Sequence, residues 1–530
     1  MRKQNLTIWL ACGLLVALEL IWGAPSLDMT CGRDQGIYAL TASRVLNGER
    51  LYADVFAFKP PATPWMHVLA QAIFGPSCVS IRALDLLWNV ATIMALFGLS
   101  IQLLKHPVVA AIPAAAYSYT YRGLDYWHQS QTDGWANLPV VCALLLIIFA
   151  SRNRSHRALL FTAGAMLGVA FVFKYTFGVF LLLSAALVSR SKNWRAKTSV
   201  LCVGFALPIA ISGVVLALQG SLGALWETQL AIVFPYTGTL DLKATPFLYR
   251  FSYSLYRFHV TIEQIVGLFA WLVPFSLVGL LLLSLQRRNE LAIFATAWVA
   301  VGAISVFAQG KYFLYHLIPL IPATGFAATL LLQQIYMLIR KKSIANTLKG
   351  SFALSPRQFA TMFAAALMAT TVFLAINLPA AQAREGENAL AMSADPSSDS
   401  SAADNYRLAK FIETSTSPHD KVFLWGYEPL VYFWAHRESN SRFIYSLPVI
   451  APWAPQAYRD ELLSDLVSGP PRYFIVQEGD RVPHVLSTNE DSVETLNRFT
   501  TLHEWVLANY TYVGIQANRF HVYERREPPK

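Results

Sequence analysis

The sequence predicts a polytopic α-helical membrane protein of about eleven spans, followed by a small α/β domain outside the membrane. Three observations predict it. Hydrophobic residues fill 55% of the 530 positions and charged residues only 14%, at mean hydropathy +0.40, which does not fit a soluble chain of several domains. The apolar residues fall in blocks of roughly 15 to 27, the length of helix that crosses about 30 Å of hydrocarbon. Arg and Lys cluster between the blocks, as orientation in a membrane requires. Collagenous, disordered and disulfide-scaffold classes are excluded. The net charge of +10 does not gather into one basic patch with interleaved aromatics, which argues against nucleic acid as a partner.

Taken in order, the spans are 5–26, 83–104, 107–120, 134–151, 158–173, 175–189, 198–218, 261–285, 291–308, 313–339 and 358–379. The first is long for a signal-peptide core and lacks a clear small-residue cleavage site, so it reads as an uncleaved helix. The apolar stretch from Pro64 to Phe74 is too short to cross comfortably, and counting it would invert every later loop. The positive-inside rule decides against it. With it left out, the inner loops (1–4, 105–106, 152–157, 190–197, 286–290 and 340–357) hold 17 Lys/Arg in 43 positions, against 10 in 115 for the outer loops 27–82, 121–133, 219–260 and 309–312. The stretch therefore lies at, or dips into, the outer face.

The transmembrane domain, 1–380, gives way to a flexible linker over 381–404, whose Ser/Ala/Asp-rich text (ADPSSDSSAAD) cannot bury enough apolar area to fold alone. From 405 to 530 helix-like and strand-like segments alternate: a helix near 405–414, strand Val422–Trp425, a helix around 428–435, strand Arg442–Tyr445, a helix after Pro455 and strand Tyr473–Gln477. This is the pattern of an extracytoplasmic α/β domain. It carries no phosphate-binding glycine loop and no nucleophile elbow, and its run FLWGYEPLVYFWAHR suits a hydrophobic core or membrane-docking face better than sugar stacking.

The first outer loop holds the most information. Asp34 opens a helical segment from Gln35 to Leu46 that stops at Asn47-Gly48. The order then runs through Leu51-Tyr52-x-Asp54 and Lys59-Pro60-Pro61 to an apolar segment ending Phe74-Gly75, with Arg82 in the next helix. Over about fifty residues, this order resembles the first loop of the membrane-embedded C-type glycosyltransferases that use polyprenyl-phosphate sugars, among them the protein O-mannosyltransferases and the lipid A aminoarabinose transferases. Looser matches are Lys311-Tyr312, Tyr315-His316 and Pro319 in the tenth span, and Trp425-Gly426-Tyr427, Tyr432 and Arg437 in the outer domain. Where that family can have a second acid beside the first, this chain has Gln35.

The resemblance implies a sugar passing from a polyprenyl-phosphate donor to a lipid, glycan or protein acceptor at the outer face of the inner (plasma) membrane, with inversion at the anomeric carbon. Such a transfer needs a base at the acceptor and cations on the departing phosphate. Asp34 supplies the base, or caps its helix, and one carboxylate can do both. Lys59, held extended before two prolines, reaches a lipid phosphate or snorkels to the interface. Asp133 is a second acid on the same face or another helix cap, with Asp125 and His128 as nearby alternatives. Lys174, Lys311, Arg250 and Arg257 all lie in outer turns and are unranked candidates for a second phosphate contact. Tyr38 and His316 are candidate substrate contacts, and His316, Glu19 and Glu263 can equally be bonded between helices. No Cys/His spacing makes a metal site, so no cofactor is specified and a divalent cation is left open. Cys31 and Cys78 stand at the two ends of the first loop. If Pro64 to Phe74 does not cross, both face the oxidising side, free or joined in a disulfide. The competing functions are an envelope-polysaccharide transporter or flippase, against which stands the absence of an inverted repeat, and a non-catalytic assembly protein.

Overall fold

The computed structural model describes residues 2–152, 156–238, 274, 276–279, 281, 290–339, 354–392, 400–486 and 488–526. The expected eighth span falls almost wholly outside them, as do Arg250, Arg257 and Glu263; the other ten expected spans fall on described helices. Among the described residues, six helices are long and apolar enough to cross a membrane, with shorter apolar helices at Arg157–Phe173, Tyr175–Ser189 and Leu320–Ile335. This is a multi-pass membrane protein.

The centre of the bundle is α4, Cys78–Leu104, whose apolar window is 89% buried. It packs against α1 (Arg2–Gly23), α5 (Pro107–Arg122) and the helices Asn137–Arg152 and Pro356–Ala383. Close approach elsewhere depends on small residues. Gly164 and Gly168 of helix His156–Phe173 face the backbone of helix Trp194–Leu218, where an added Cβ would run into the carbonyl oxygens of Leu201 and Phe205. Such small-x-x-x-small spacing lets helices meet backbone to backbone where apolar burial alone gives no preference over lipid.

A buried ionic cluster ties α1, α4 and α5 together. Glu19 accepts from Arg122 Nε at 2.7 Å, from Asn89 at 3.0 Å and from Ser118 at 2.5 Å. Asp85 accepts from Arg122 at 3.1 Å, Tyr121 at 2.7 Å and Trp135 at 2.9 Å. Nearby, Arg82 donates to the carbonyls of Thr30, Tyr126 and Gln129. The segment from Leu124 to Thr132 is thus gripped from below, and its position relative to the first loop follows from these bonds.

Three expectations need correction. The tenth span does not begin at residue 313: Leu314–Leu317 is a 3₁₀ turn and the helix runs Leu320–Ile339, because Pro319, which has no N–H and a fixed φ, belongs at a helix entrance. His316 therefore lies in a turn before the span. The linker is helical over much of its first half. Helix Pro356–Ala383 continues past the expected end, and Glu385–Ala391 follows, fastened where Glu385 accepts from the Cys78 amide at 2.9 Å and the Trp434 indole at 3.0 Å. Residues 393–399 lie outside the description. Finally, residues 442–445 form no strand.

The sheet consists of β1 (Val422–Trp425), β2 (Tyr473–Gln477), β3 (Tyr510–Gln516) and β4 (Phe520–Arg525), in the order β1-β2-β4-β3. β1 and β2 run parallel and the remaining pairs antiparallel. The β3–β4 hairpin turns at Ala517 and Asn518, both with positive φ, which matches the twist of the strands it joins. Residues 442–445 serve instead as a dock for the first loop. The Phe56 amide bonds to the Arg442 carbonyl at 2.9 Å, and its ring packs on Phe443, Tyr445 and Tyr458.

Candidate functional site

The first loop is built as a rigid platform. Cys31 and Cys78 form a disulfide with Cα atoms 5.5 Å apart. α2, Arg33–Leu46, begins two residues earlier than expected and has Gly32 as its N-cap, with no side-chain cap bond. Asp34 therefore does not cap the helix; it sits in the first turn with its side chain directed at the Tyr315 hydroxyl, 3.3 Å away. Gly36 lies against Leu430 of the C-terminal domain so closely that a Cβ would clash. Arg33 pairs with the buried Glu428 at 2.9 Å and lies between the rings of Trp127 and Tyr427. α3, Ala62–Phe74, is a thirteen-residue helix directly after Pro60-Pro61, too short to cross.

Lys59 stands just before those prolines. Its backbone carbonyl accepts from the Tyr52 hydroxyl at 2.8 Å, and Tyr52 is fully buried in a positive-φ conformation, an arrangement that persists only where the surroundings determine it. The ammonium extends toward the Tyr315 ring at 5.7 Å. No carboxylate among the described residues pairs with it.

These residues open into a cavity of about 450 Å³ lined by Asp34, Tyr38, Lys59, Lys174, Lys311 and His316, among others. Its walls come from distant parts of the chain. Phe58 meets Tyr236 edge to face at 4.9 Å, and Lys311 lies 4.1 Å from the Tyr236 ring centre. The C-terminal domain contributes Tyr427, Tyr445, Leu447, Val482 and Val485, so the cavity is closed by the sheet domain and the membrane bundle together. Burial pushes the Lys311 ammonium down to about 8, and does the same for Lys174 against the pull of Asp133. Burial, with Lys174, Lys59 and Lys311 facing it, also holds the His316 imidazole well below the usual histidine range. The Tyr38 phenol is raised by burial and by the Asp34 carboxylate.

Asp133 stands behind Lys174, outside the cavity wall. It lies in the first turn of Thr132–Trp135 with Gln131 as N-cap, so it caps nothing. Its two oxygens are taken by Lys174 at 2.7 Å and Gln309 at 3.0 Å, while Gln309 also accepts from Lys174 at 2.5 Å. Asp125 and His128 pair with each other at the surface, 2.6 Å apart, and do not line the cavity.

Sequence reasoning missed Gln309, Gln229 and the wall from the C-terminal domain. A lone Gln next to an apolar helix carries no local signal, and the aromatic run 423–437 gives mostly core residues, with Tyr427 alone reaching the cavity. Among the described residues, no three His, Cys, Asp or Glu side chains gather as a metal site.

The family described as dolichyl-phosphate-mannose-protein mannosyltransferase matches residues 58–216. A comparison with curated protein sequences finds no match. Among solved structures, ArnT from Cupriavidus metallidurans bound to undecaprenyl phosphate superimposes with TM-score 0.55 at 15% identity, covering 96% of this chain and 97% of that one. The same protein in the apo state gives 0.54 at 14% identity, with the same coverage. The oligosaccharyltransferase of Archaeoglobus fulgidus in the apo form aligns at TM-score 0.45 and 14% identity, over 89% of this chain and 69% of that one. The chain has the fold of the ArnT structures and resembles the membrane-embedded C-type glycosyltransferases.

Proposed function

We propose that the protein is an integral membrane glycosyltransferase of the inner membrane, which moves a sugar from a polyprenyl-monophosphate carrier to an acceptor at the extracytoplasmic face. The observation that carries this reading is the single cavity in which one half-buried carboxylate, Asp34, faces the ammonium groups of Lys59, Lys174 and Lys311. A carboxylate can take a proton from an acceptor hydroxyl, and cations can receive the charge that develops on a leaving phosphate.

In the reaction, the acceptor oxygen forms a bond to the anomeric carbon as the bond from that carbon to the phosphate oxygen breaks. The acceptor proton passes to Asp34, and the bonding electron pair leaves with the phosphate, whose charge Lys59 and Lys174 stabilise. One displacement inverts the anomeric centre. Asp133, with both oxygens bonded, acts as a positioning residue: together with Gln309 it holds the Lys174 ammonium at the cavity wall and favours its charged form. Tyr315 orients the Asp34 carboxylate, and the aromatic wall excludes water that would otherwise compete as acceptor.

The test is sugar transfer by the purified, detergent-solubilised protein from a panel of synthetic undecaprenyl-phosphate sugars, with hydrolysis as the minimal readout. Turnover of one or more members supports the reading. Turnover of none, by protein that melts cooperatively, contradicts it.

A further inference from the structure

One cavity residue is left unexplained by base and phosphate chemistry. Gln229 is 1% exposed, lines the cavity, and has no hydrogen-bond partner among the described residues for either its amide nitrogen or its amide oxygen. A buried amide in that state is costly unless a ligand completes it. Its placement is specific. Helix Leu222–Thr228 runs into a single π-helical turn, Gln229–Val233, closed by a bond from the Phe234 amide to the Gln229 carbonyl. Pro235 gives the physical reason, because it has no N–H to return to Ala231 and its ring crowds that carbonyl. Such turns occur mostly as single-turn bulges inside α-helices, frequently at functional sites. Gln229, Val233 and Tyr236 all face the cavity, which makes Gln229 the polar end of an otherwise apolar and aromatic wall.

A second buried polar atom points the same way. His316 is 4% exposed, lines the same cavity, and its Nδ1 has no partner among the described residues. The chemistry of these open groups selects a ligand class. An amide presents donors and an acceptor together. A phosphate only accepts and would leave the amide oxygen unmatched, whereas an ammonium only donates and would leave the amide N–H groups unmatched. A hydroxyl does both. An ammonium-bearing sugar would also lie close to Lys59 and Lys174, with Asp34 as the carboxylate on the cavity wall.

We infer that Gln229, with His316, reads the hydroxyl groups of the transferred sugar, and that this sugar is uncharged. The inference rests on the transfer reading above and narrows it to a donor class. Its ring hydroxyls bond to the Gln229 amide, and its C–H face packs on Tyr236 and Phe58.

The experiment measures the affinity of the purified full chain for three kinds of lipid. They are bare undecaprenyl phosphate, undecaprenyl phosphate carrying glucose, mannose or galactose, and undecaprenyl phosphate carrying 4-amino-4-deoxyarabinose. For the wild type, the best neutral sugar lipid binds more tightly than the bare phosphate and than the amino sugar lipid. In Gln229→Leu that preference over bare phosphate falls about ten-fold or more, as the loss of two neutral hydrogen bonds predicts, while affinity for the bare phosphate stays within about two-fold. The melting temperature of Gln229→Leu without ligand equals or exceeds that of the wild type, because a structural amide would be missed and an unmatched one is not. The inference is overturned if Gln229→Leu weakens bare and sugar-bearing lipids equally, if it weakens neither, or if the amino sugar lipid is preferred. Should none of the lipids bind the wild type, the transfer reading itself falls, and this inference with it.

Discussion

Two of the charge clusters among the described residues, one inside the helix bundle and one at its mouth, are completed differently. In the bundle, all four oxygens of Glu19 and Asp85 are hydrogen-bonded, and Arg122 bridges the two carboxylates. At the mouth, Asp34 has one long bond to Tyr315 at 3.3 Å, and Lys59 has an aromatic ring but no carboxylate among the described residues. A network whose carboxylates are all bonded positions what it touches and has no carboxylate oxygen left for a ligand. An open one stores unmet electrostatic demand in a low-dielectric cavity, where a bound anion or hydroxyl gains most. The first cluster holds the loop that carries Asp133, and the second is where chemistry can take place.

Substitutions should separate the two by what they damage. The largest effect expected is on transfer by Asp34→Asn, which should fall about 10²- to 10⁴-fold, the usual contribution of a positioned base. Its melting temperature should match the wild type, since Asp34 caps no helix. Next comes Arg122→Met in the closed cluster. It leaves two buried carboxylates unpaired and should cost about 3–5 kcal/mol of stability, read as a lower melting temperature in detergent. Breaking the platform that carries the open cluster should cost nearly as much: Cys31→Ser removes closure of a loop with sequence separation 47, worth up to about 4 kcal/mol by chain entropy. Labelling of Cys31 and Cys78 should appear only after reduction, and labelling of both without reduction would remove the platform argument.

The smallest effect is on pH dependence. Lys174 and Lys311 are pushed down to about 8 from 10.5, so their charge is lost as pH rises through about 8 and the apparent KM for the lipid donor should climb severalfold between about pH 7 and 9. Stability should move the opposite way. Between about 8 and 10.5 the unfolded chain holds more protons on these lysines than the folded one, so their contribution to stability rises with pH. A KM that stays flat across this range would mean that neither lysine meets the phosphate.

The open cluster was more legible in the sequence than the closed one. Asp34, Lys59, Lys174 and Lys311 are charged residues in loops between apolar blocks, and the order of motifs around Asp34 gives that charge a reason. Glu19 could be noticed as an acid within an apolar span, but its partners Asp85 and Arg122 come from other helices, and no local pattern pairs them. The span positions followed from apolar block length, and the first loop's failure to cross followed from the balance of Lys and Arg. What stayed hidden depended on long-range packing: residues 442–445 look like a strand and serve as a dock, and the linker's first half folds because Glu385 finds Cys78 and Trp434. Gln229 was invisible because its distinction is the lack of a partner, which only coordinates reveal.

The unmatched charge at the mouth of the bundle is proposed to receive a lipid phosphate. Equilibrium binding of undecaprenyl phosphate to the purified wild type and to Lys59→Ala and Lys59→Arg tests it most directly, with melting temperatures recorded alongside. Lys59→Ala should bind about ten-fold or more weakly, Lys59→Arg should retain most of the affinity, and all three proteins should melt alike. Equal binding by wild type and Lys59→Ala, with intact folding, would contradict it and place the phosphate elsewhere.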